Sequence, residues 1–241
     1  MLKSSKAHEK NRLEKIAKDF SMGEGFTGKM EKFMCLTLQK HLKDGHILDV
    51  GCADGIMVAK LSSHYKRFTA IDGSEEIINR AKKLNLPNVN FVCTLFEDFD
   101  PDEKFDSIIL SDILEHIENP VDLLKKAKSW LRDNGVVLII SPNSNSLHRQ
   151  IGVLVKMLGD QHDLNQTDRK VGHRRVYDLD LLKKDIKKAG LKVNCSEGIF
   201  LKPLSDNQMD NLPDKVIDAF YLISKQLSPE LANLLFVKCK K

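Results

Sequence analysis

The chain reads as an α/β protein built on a doubly wound, mostly parallel sheet of seven strands. Three observations predict this. Short β-branched apolar runs recur along the chain, helical periodicities separate them, and the runs are continuously apolar rather than alternating. Continuous apolar strands are those of a parallel sheet covered on both faces, and β-α alternation supplies the covering helices.

Five strands are predicted at Ile47–Val50, Arg67–Asp72, Val89–Cys93, Phe105–Ser111 and Val136–Ser141, and two more near Leu191–Phe200 and Ala232–Lys240. The helices between them carry start and stop signals. Ser74 is placed to cap a helix whose first turn holds Glu75 and Glu76, where the dipole favours acids. Asn119-Pro120 opens another, with Leu123, Leu124, Ala127, Trp130 and Leu131 on one face and Asp133-Asn134-Gly135 closing it. Asp178 opens a third that ends at Gly190, and a fourth is expected from about Pro213 to Leu227. Two regions stand outside this repeat. Residues 1–44 form a helical cap ahead of the main domain at 45–241, and residues 143–176 form a long excursion after the fifth strand. Such an insertion at the carboxyl edge of a sheet is where a lid over a substrate sits.

At 241 residues, 41% hydrophobic and 30% charged, the chain is long enough for one large domain with a substantial core. A net charge of +4, from 38 basic and 34 acidic residues, is far from the excess of a dedicated nucleic-acid binder. The five cysteines form no CxxC pair, so neither a zinc site nor a disulfide framework is expected. With no signal-peptide core and no membrane-length apolar run, a reducing cytoplasm is the expected setting, without a membrane partner.

The chemistry concentrates in Ile-Leu-Asp-Val-Gly-Cys-Ala-Asp-Gly, residues 47–55. A nicotinamide turn beginning at Gly51 requires glycines at 53 and 56, where Ala53 and Ile56 stand. A P-loop requires Lys and Ser or Thr after its last glycine, and Gly55 is followed by Ile56 and Met57. What remains is an acidic residue, Asp49, followed by Gly51, Ala53 and Gly55. Asp49 would repel a pyrophosphate and attract a ligand that carries an ammonium group.

At this point the sequence resembles the class I S-adenosylmethionine-dependent methyltransferases, nearest to the small-molecule enzymes of the ubiquinone-biosynthesis O-methyltransferase type. Five segments carry the resemblance over roughly 47–199: the turn just described, Ala70–Ile78 with Asp72 placed 21 residues after Gly51, Phe91–Phe99, Phe105–Asn143 and Gly172–Val193. The resemblance implies a Rossmann-like methyltransferase fold and S-adenosylmethionine as cofactor, with S-adenosylhomocysteine as product. It assigns Asp49, Gly51, Cys52, Ala53 and Gly55 to the cofactor turn, Asp72 and Gly73 to the ribose, Leu95 and Phe96 to the adenine, and Ser111 and Asp112 to the methionine end. Where relatives carry Gly-Asp-Ala for the adenine, this chain has Thr94, Leu95 and Phe96, so the acidic contact is missing or moved to Glu97. An aromatic residue of the first segment, Phe20 or Phe26, is expected to close over the cofactor.

For the acceptor, the candidate bases are His148, His173 and His116, since a histidine titrates near operating pH. Arg149, Arg174 and Tyr177 (with Arg175 beside them) are the candidate substrate contacts. Their arginine forks suit a carboxylate or phosphate, so the expected acceptor is a small metabolite, with room for an anionic group, methylated on oxygen or nitrogen. No residue group has metal-ligand spacing, and no required metal is expected. The expected partners are a small-molecule acceptor and no nucleic acid, in a monomer or homodimer. The competing readings are an RNA or protein methyltransferase, a non-catalytic cofactor-binding module, and an NAD-dependent dehydrogenase.

Overall fold

In the computed structural model, the residues described are 6–19 and 25–241. The strands are β1 (His46–Val50), β2 (Arg67–Asp72), β3 (Val89–Cys93), β4 (Phe105–Ser111), β5 (Leu131–Pro142), β6 (Lys192–Ile199) and β7 (Leu234–Lys240). They form one sheet in the order β3-β2-β1-β4-β5-β7-β6. The first five run parallel, and β7 lies antiparallel between β5 and β6. The chain winds outward from β1 through β2 to β3, then returns to the other side of β1 with β4. That reversal opens a crevice beyond the carboxyl ends of β1 and β4, where doubly wound sheets bind ligands.

Helices cover both faces. α1 (Lys6–Asp19) and α2 (Gly25–His41) precede the sheet, and α3 (Ile56–Ser62) and α4 (Glu75–Lys82) follow β1 and β2. α5 (Pro120–Trp130) leads to β5, and α8 (Leu179–Lys188) leads to β6. Between them, the excursion folds into α6 (Leu147–Leu154) and α7 (Gln166–Val171), while α9 (Asp206–Asp210) and α10 (Asp214–Ser224) separate β6 from β7. Side chains of α2, α3, α4 and α10 build one apolar layer with Ile47, Phe68 and Ile109, and those of α5 and α8 build the other with Leu48, Ile108 and Val137. Period-two alternation along β1 therefore puts Asp49 on the same face as Ile47, at a core position.

The expected caps form. The Ser74 hydroxyl accepts from the Ile77 N–H at 3.2 Å, and the Asp178 carboxylate accepts from the Leu181 N–H at 2.6 Å. Pro120 stands at the start of α5 as expected. The closing turn of α5 differs from expectation. Leu131 is already extended and pairs with Phe105, and residues 132–135 form an irregularity inside β5 before Val136 pairs with Ser107. No helix of the described residues is long and apolar enough to cross a membrane.

Candidate functional site

The turn after β1 is tied to β2 by its backbone: the N–H groups of Gly51 and Cys52 both donate to the Ile71 carbonyl, at 2.8 and 3.1 Å. Gly51 has φ +78°, and a Cβ there would stand 2.8 Å from Ile113 Cδ1. The position needs glycine for conformation and for space. A Gly51→Ala exchange is expected to lower unfolding free energy by about 1–2 kcal/mol from the left-handed backbone alone, as measured by urea denaturation. Ala53 also lies in the left-handed region, at φ 48°, which costs a non-glycine residue energy and is the kind of strain found at ligand sites. Cys52 is buried, and its thiol is pushed well up by burial and by the nearby Asp49.

Asp49 is 1% exposed, and neither carboxylate oxygen has a hydrogen-bond partner among the described residues. Burial, reinforced by the charge of Asp72, pushes its carboxyl up to about 7. A buried, unpaired carboxylate is costly, and a cationic group arriving beside it would reverse that cost. Asp72, at the end of β2, accepts from the Ala53 N–H at 3.3 Å and from the Ser74 N–H at 2.9 Å. The two bonds aim the carboxylate between the turns after β1 and β2, and burial raises its pKa in spite of them.

Gly73 is approached from both sides, since a Cβ there would lie 2.6 Å from Leu13 and 2.7 Å from Leu95. Leu95 and Phe96 are both buried, Phe96 packed into the α5 layer, while Glu97 is exposed. Leu13 belongs to α1, which lies across this edge of the sheet. Its Glu14 accepts from the Ser74 hydroxyl at 3.0 Å and from the Glu75 N–H at 2.6 Å, and its Arg12 reaches the carbonyls of Gly172 and His116. Of the aromatic residues expected to close over the crevice, Phe26 is instead buried in the core, edge-on to Phe200 at 5.4 Å. Phe20 lies outside the described residues.

Beyond β4 the backbone turns sharply, with Asp112 at φ 47°. Ser111 Oγ, Asp112 Oδ1 and Glu115 Oε1 are all buried without a partner among the described residues. Burial pushes the Asp112 carboxyl up to about 6, with His173 opposing, and it raises the wholly buried Glu115 as well. The Glu115 carboxylate accepts from the Ser141 hydroxyl at 3.3 Å. The rings of His116 and His173 meet edge to face, centroids 4.7 Å apart. Glu115, His116 and His173 bring one potential ligand atom each within 4.8 Å of the others, a spacing a cation can bridge.

The excursion brings some of its expected residues to this cluster and withholds others. His173 arrives. His148 is largely enclosed, its Nδ1 without a partner among the described residues, and burial drives its pKa down to about 3. His116 is likewise held near 3, chiefly by burial and then by His173. The arginines expected to meet the substrate are engaged with the protein itself. Arg149 is 4% exposed and donates to the Gln161 and Asp163 carbonyls and to Asp168. Arg174 donates to the His116 carbonyl and pairs with Glu9, and Arg175 donates to the carbonyls of Leu114, Ile117 and Glu118. Tyr177 is fully buried, its hydroxyl donating to Asp185 at 3.3 Å. Sequence reading missed Glu115, Glu14 and Asp168. Glu115 was visible, because it directly precedes His116; the other two gain meaning from chain contacts that no local pattern encodes.

A crevice at the β1–β4 reversal is bounded by a glycine turn, the buried Asp49 and the half-buried Asp72. The family model for a methyltransferase domain matches residues 26–196. The chain belongs to that family, and its sheet is that of the class I S-adenosylmethionine-dependent methyltransferases. Among named relatives, it is 32% identical over 109 residues to the ubiquinone biosynthesis O-methyltransferase of Coxiella burnetii, covering 43% of this chain and 46% of that protein. It is 31% identical over 105 residues to the (S)-coclaurine N-methyltransferase of Papaver somniferum, covering 41% of this chain and 30% of that one. The matched stretches thus span about half or less of these relatives' lengths. Among solved structures, DhpI in its complex with SAM and HEP shares the fold over 100% of both chains, with a TM-score of 0.65 and 16% identity.

Proposed function

We propose that the chain transfers a methyl group from S-adenosylmethionine to an oxygen or nitrogen of a small molecule. The observation that carries this is Asp49, a buried carboxylate with both oxygens unpartnered at a glycine turn, with Asp72 aimed across the same crevice. The residues present fit the cofactor: Asp49 for its ammonium, Asp72 for the ribose hydroxyls, Leu95 and Phe96 against the adenine, Ser111 and Asp112 at the methionine end. When bound, the cofactor supplies a methyl group already activated on a sulfonium. What the protein must add is alignment, exclusion of water and a place for the acceptor's proton. α1 and the 143–176 lid supply the exclusion by lying over the sheet edge.

For the proton, His116 and His148 are weak candidates, since bases held near 3 attract a proton poorly at neutral pH. His173, in the cluster with Asp112 and Glu115, is the base we assign. With the three arginines engaged elsewhere, acceptor recognition falls to buried carboxylates and imidazoles, which suit hydrogen-bond donors better than an anion. The remaining attributes of this reading are a cytoplasmic protein, monomeric or homodimeric, that needs no nucleic acid.

The test is S-adenosylhomocysteine production when the protein and S-adenosylmethionine are mixed with small-molecule and macromolecular fractions of a cell extract. Turnover with the small-molecule fraction is expected. Turnover confined to the macromolecular fraction would establish an RNA or protein substrate instead, and tight cofactor binding with no turnover would leave a binding module. Thermal stabilisation by NADH in place of S-adenosylhomocysteine would point to a dehydrogenase. A cation-assisted version has one observation in its favour, the Glu115–His116–His173 spacing. The metal-free reaction predicts an unchanged rate after dialysis against a chelator, and loss of turnover restored by a divalent cation would overturn it.

A further inference from the structure

Asp168 stands behind His173 in a way the reaction itself does not require. It sits on α7, inside the lid, and both its carboxylate oxygens are committed. Oδ2 accepts from Arg149 Nη1 at 3.1 Å and from the Asn165 N–H at 2.9 Å, while Oδ1 lies 3.2 Å from His173 Nδ1. The Asp168 carbonyl also accepts from the His173 N–H at 2.8 Å, so ring and backbone of the histidine are held by one residue. Arg149, itself buried, fixes the carboxylate from the opposite side and is anchored by two carbonyls of the same lid. An ionised carboxylate can only accept, so Nδ1 must be the nitrogen that carries the proton. No hydrogen bond among the described residues engages His173 Nε2. His173 shares its cluster with Glu115 and His116, its ring edge to face with that of His116, so the nitrogen not held by Asp168 is the one left to accept a proton there.

We infer that Asp168, braced by Arg149, is a positioning residue that fixes His173 as the Nδ1–H tautomer and leaves Nε2 free to take the acceptor's proton. This rests on the reading of His173 as base, and it goes beyond it: the lid carries both the base and the group that orients it. The arrangement follows the general rule that the partner of one ring nitrogen decides the state of the other. It also gives the buried Arg149 a purpose that needs no anionic substrate.

The tautomer can be read without knowing the acceptor. The full-length chain is labelled with ¹⁵N-histidine, and two-bond ¹H–¹⁵N correlations are recorded at alkaline pH, with His173→Gln for assignment. The Nδ1–H pattern is expected for His173 in the wild-type chain. In Asp168→Asn that pattern is expected to be lost, giving way to the Nε2–H form. In Asn165→Ala, which breaks the α7 cap and leaves the carboxylate–imidazole contact, it is expected to persist. An Nε2–H wild-type ring, an unchanged pattern in Asp168→Asn, or its loss in Asn165→Ala would each overturn the inference. Because the wild-type spectrum decides first, failure of a variant to fold cannot rescue it. Failure of the base reading shows up separately, as His173→Gln that still produces S-adenosylhomocysteine at the wild-type rate while the Nδ1–H tautomer stands.

Discussion

Asp49→Asn is expected to make the cofactor-free protein more stable at alkaline pH while weakening cofactor binding. The native carboxyl titrates at about 7, raised from 3.8 by burial and then by Asp72. The folded chain therefore holds this proton more tightly than the unfolded chain does. The group's contribution to stability is fully present below the unfolded pKa and is lost as pH rises through about 7. The difference of roughly three pH units corresponds to something on the order of 4 kcal/mol. Asparagine does not titrate, so wild-type and variant should unfold alike near about pH 3, and the variant should gain progressively between about pH 4 and 7 and level off above that. Binding should go the other way. S-adenosylhomocysteine retains the amino-acid ammonium, and losing a charge-assisted contact is worth about 1.5–3 kcal/mol, roughly 10- to 150-fold in affinity. Wild-type affinity should also rise with pH through about 7, as Asp49 ionises to meet the ammonium. Thermal melts across pH and calorimetric titration with S-adenosylhomocysteine measure the two halves. Unaltered binding by Asp49→Asn would remove the ammonium contact from the site.

That opposition between stability and binding explains why the cofactor half of the site is legible in the sequence. A charged residue at a core position of β1 violates the apolar pattern around it, and the violation is local, between Leu48 and Val50. Asp72 is legible for the same reason, at the end of a buried strand. The strands are legible because Arg67–Asp72, Val89–Cys93 and Phe105–Ser111 are apolar runs bounded by turn residues, the first and last of them buried along most of their length. The end of α5 is not, because Gly135 inside a bulge and Gly after a helix look alike until Leu131 is seen to pair with Phe105. The 143–176 excursion is the least legible part. Its helices are short, and the meaning of its charges depends on which carbonyls the chain folds beside them. Arg149, Arg174 and Arg175 look like ligands in sequence because a sequence shows donors without their acceptors. Tyr177 looks like a pocket residue for the same reason, until Asp185 is placed beside its hydroxyl.

Arg149→Ala separates these two meanings of a lid arginine, and its expected effect falls on folding. The guanidinium is 4% exposed and joins α6 to residues 161, 163 and 168. Truncation leaves two carbonyls without a donor and strips Asp168 of one partner, although Asn165 and His173 remain. Removing one member of a buried, hydrogen-bonded ion pair costs about 3–5 kcal/mol. Arg174→Ala, at an exposed position paired with Glu9 at 3.4 Å, should cost less than about 1 kcal/mol. Urea denaturation of the two variants beside wild type gives the comparison directly, and limited proteolysis within 155–165 should report the loosened lid of Arg149→Ala. Cofactor affinity should change little, because Asp49 and Asp72 lie on other elements. If Arg149→Ala unfolded like wild type yet lost turnover with an acceptor present, the guanidinium would belong to substrate recognition, and the lid would have to open to expose it.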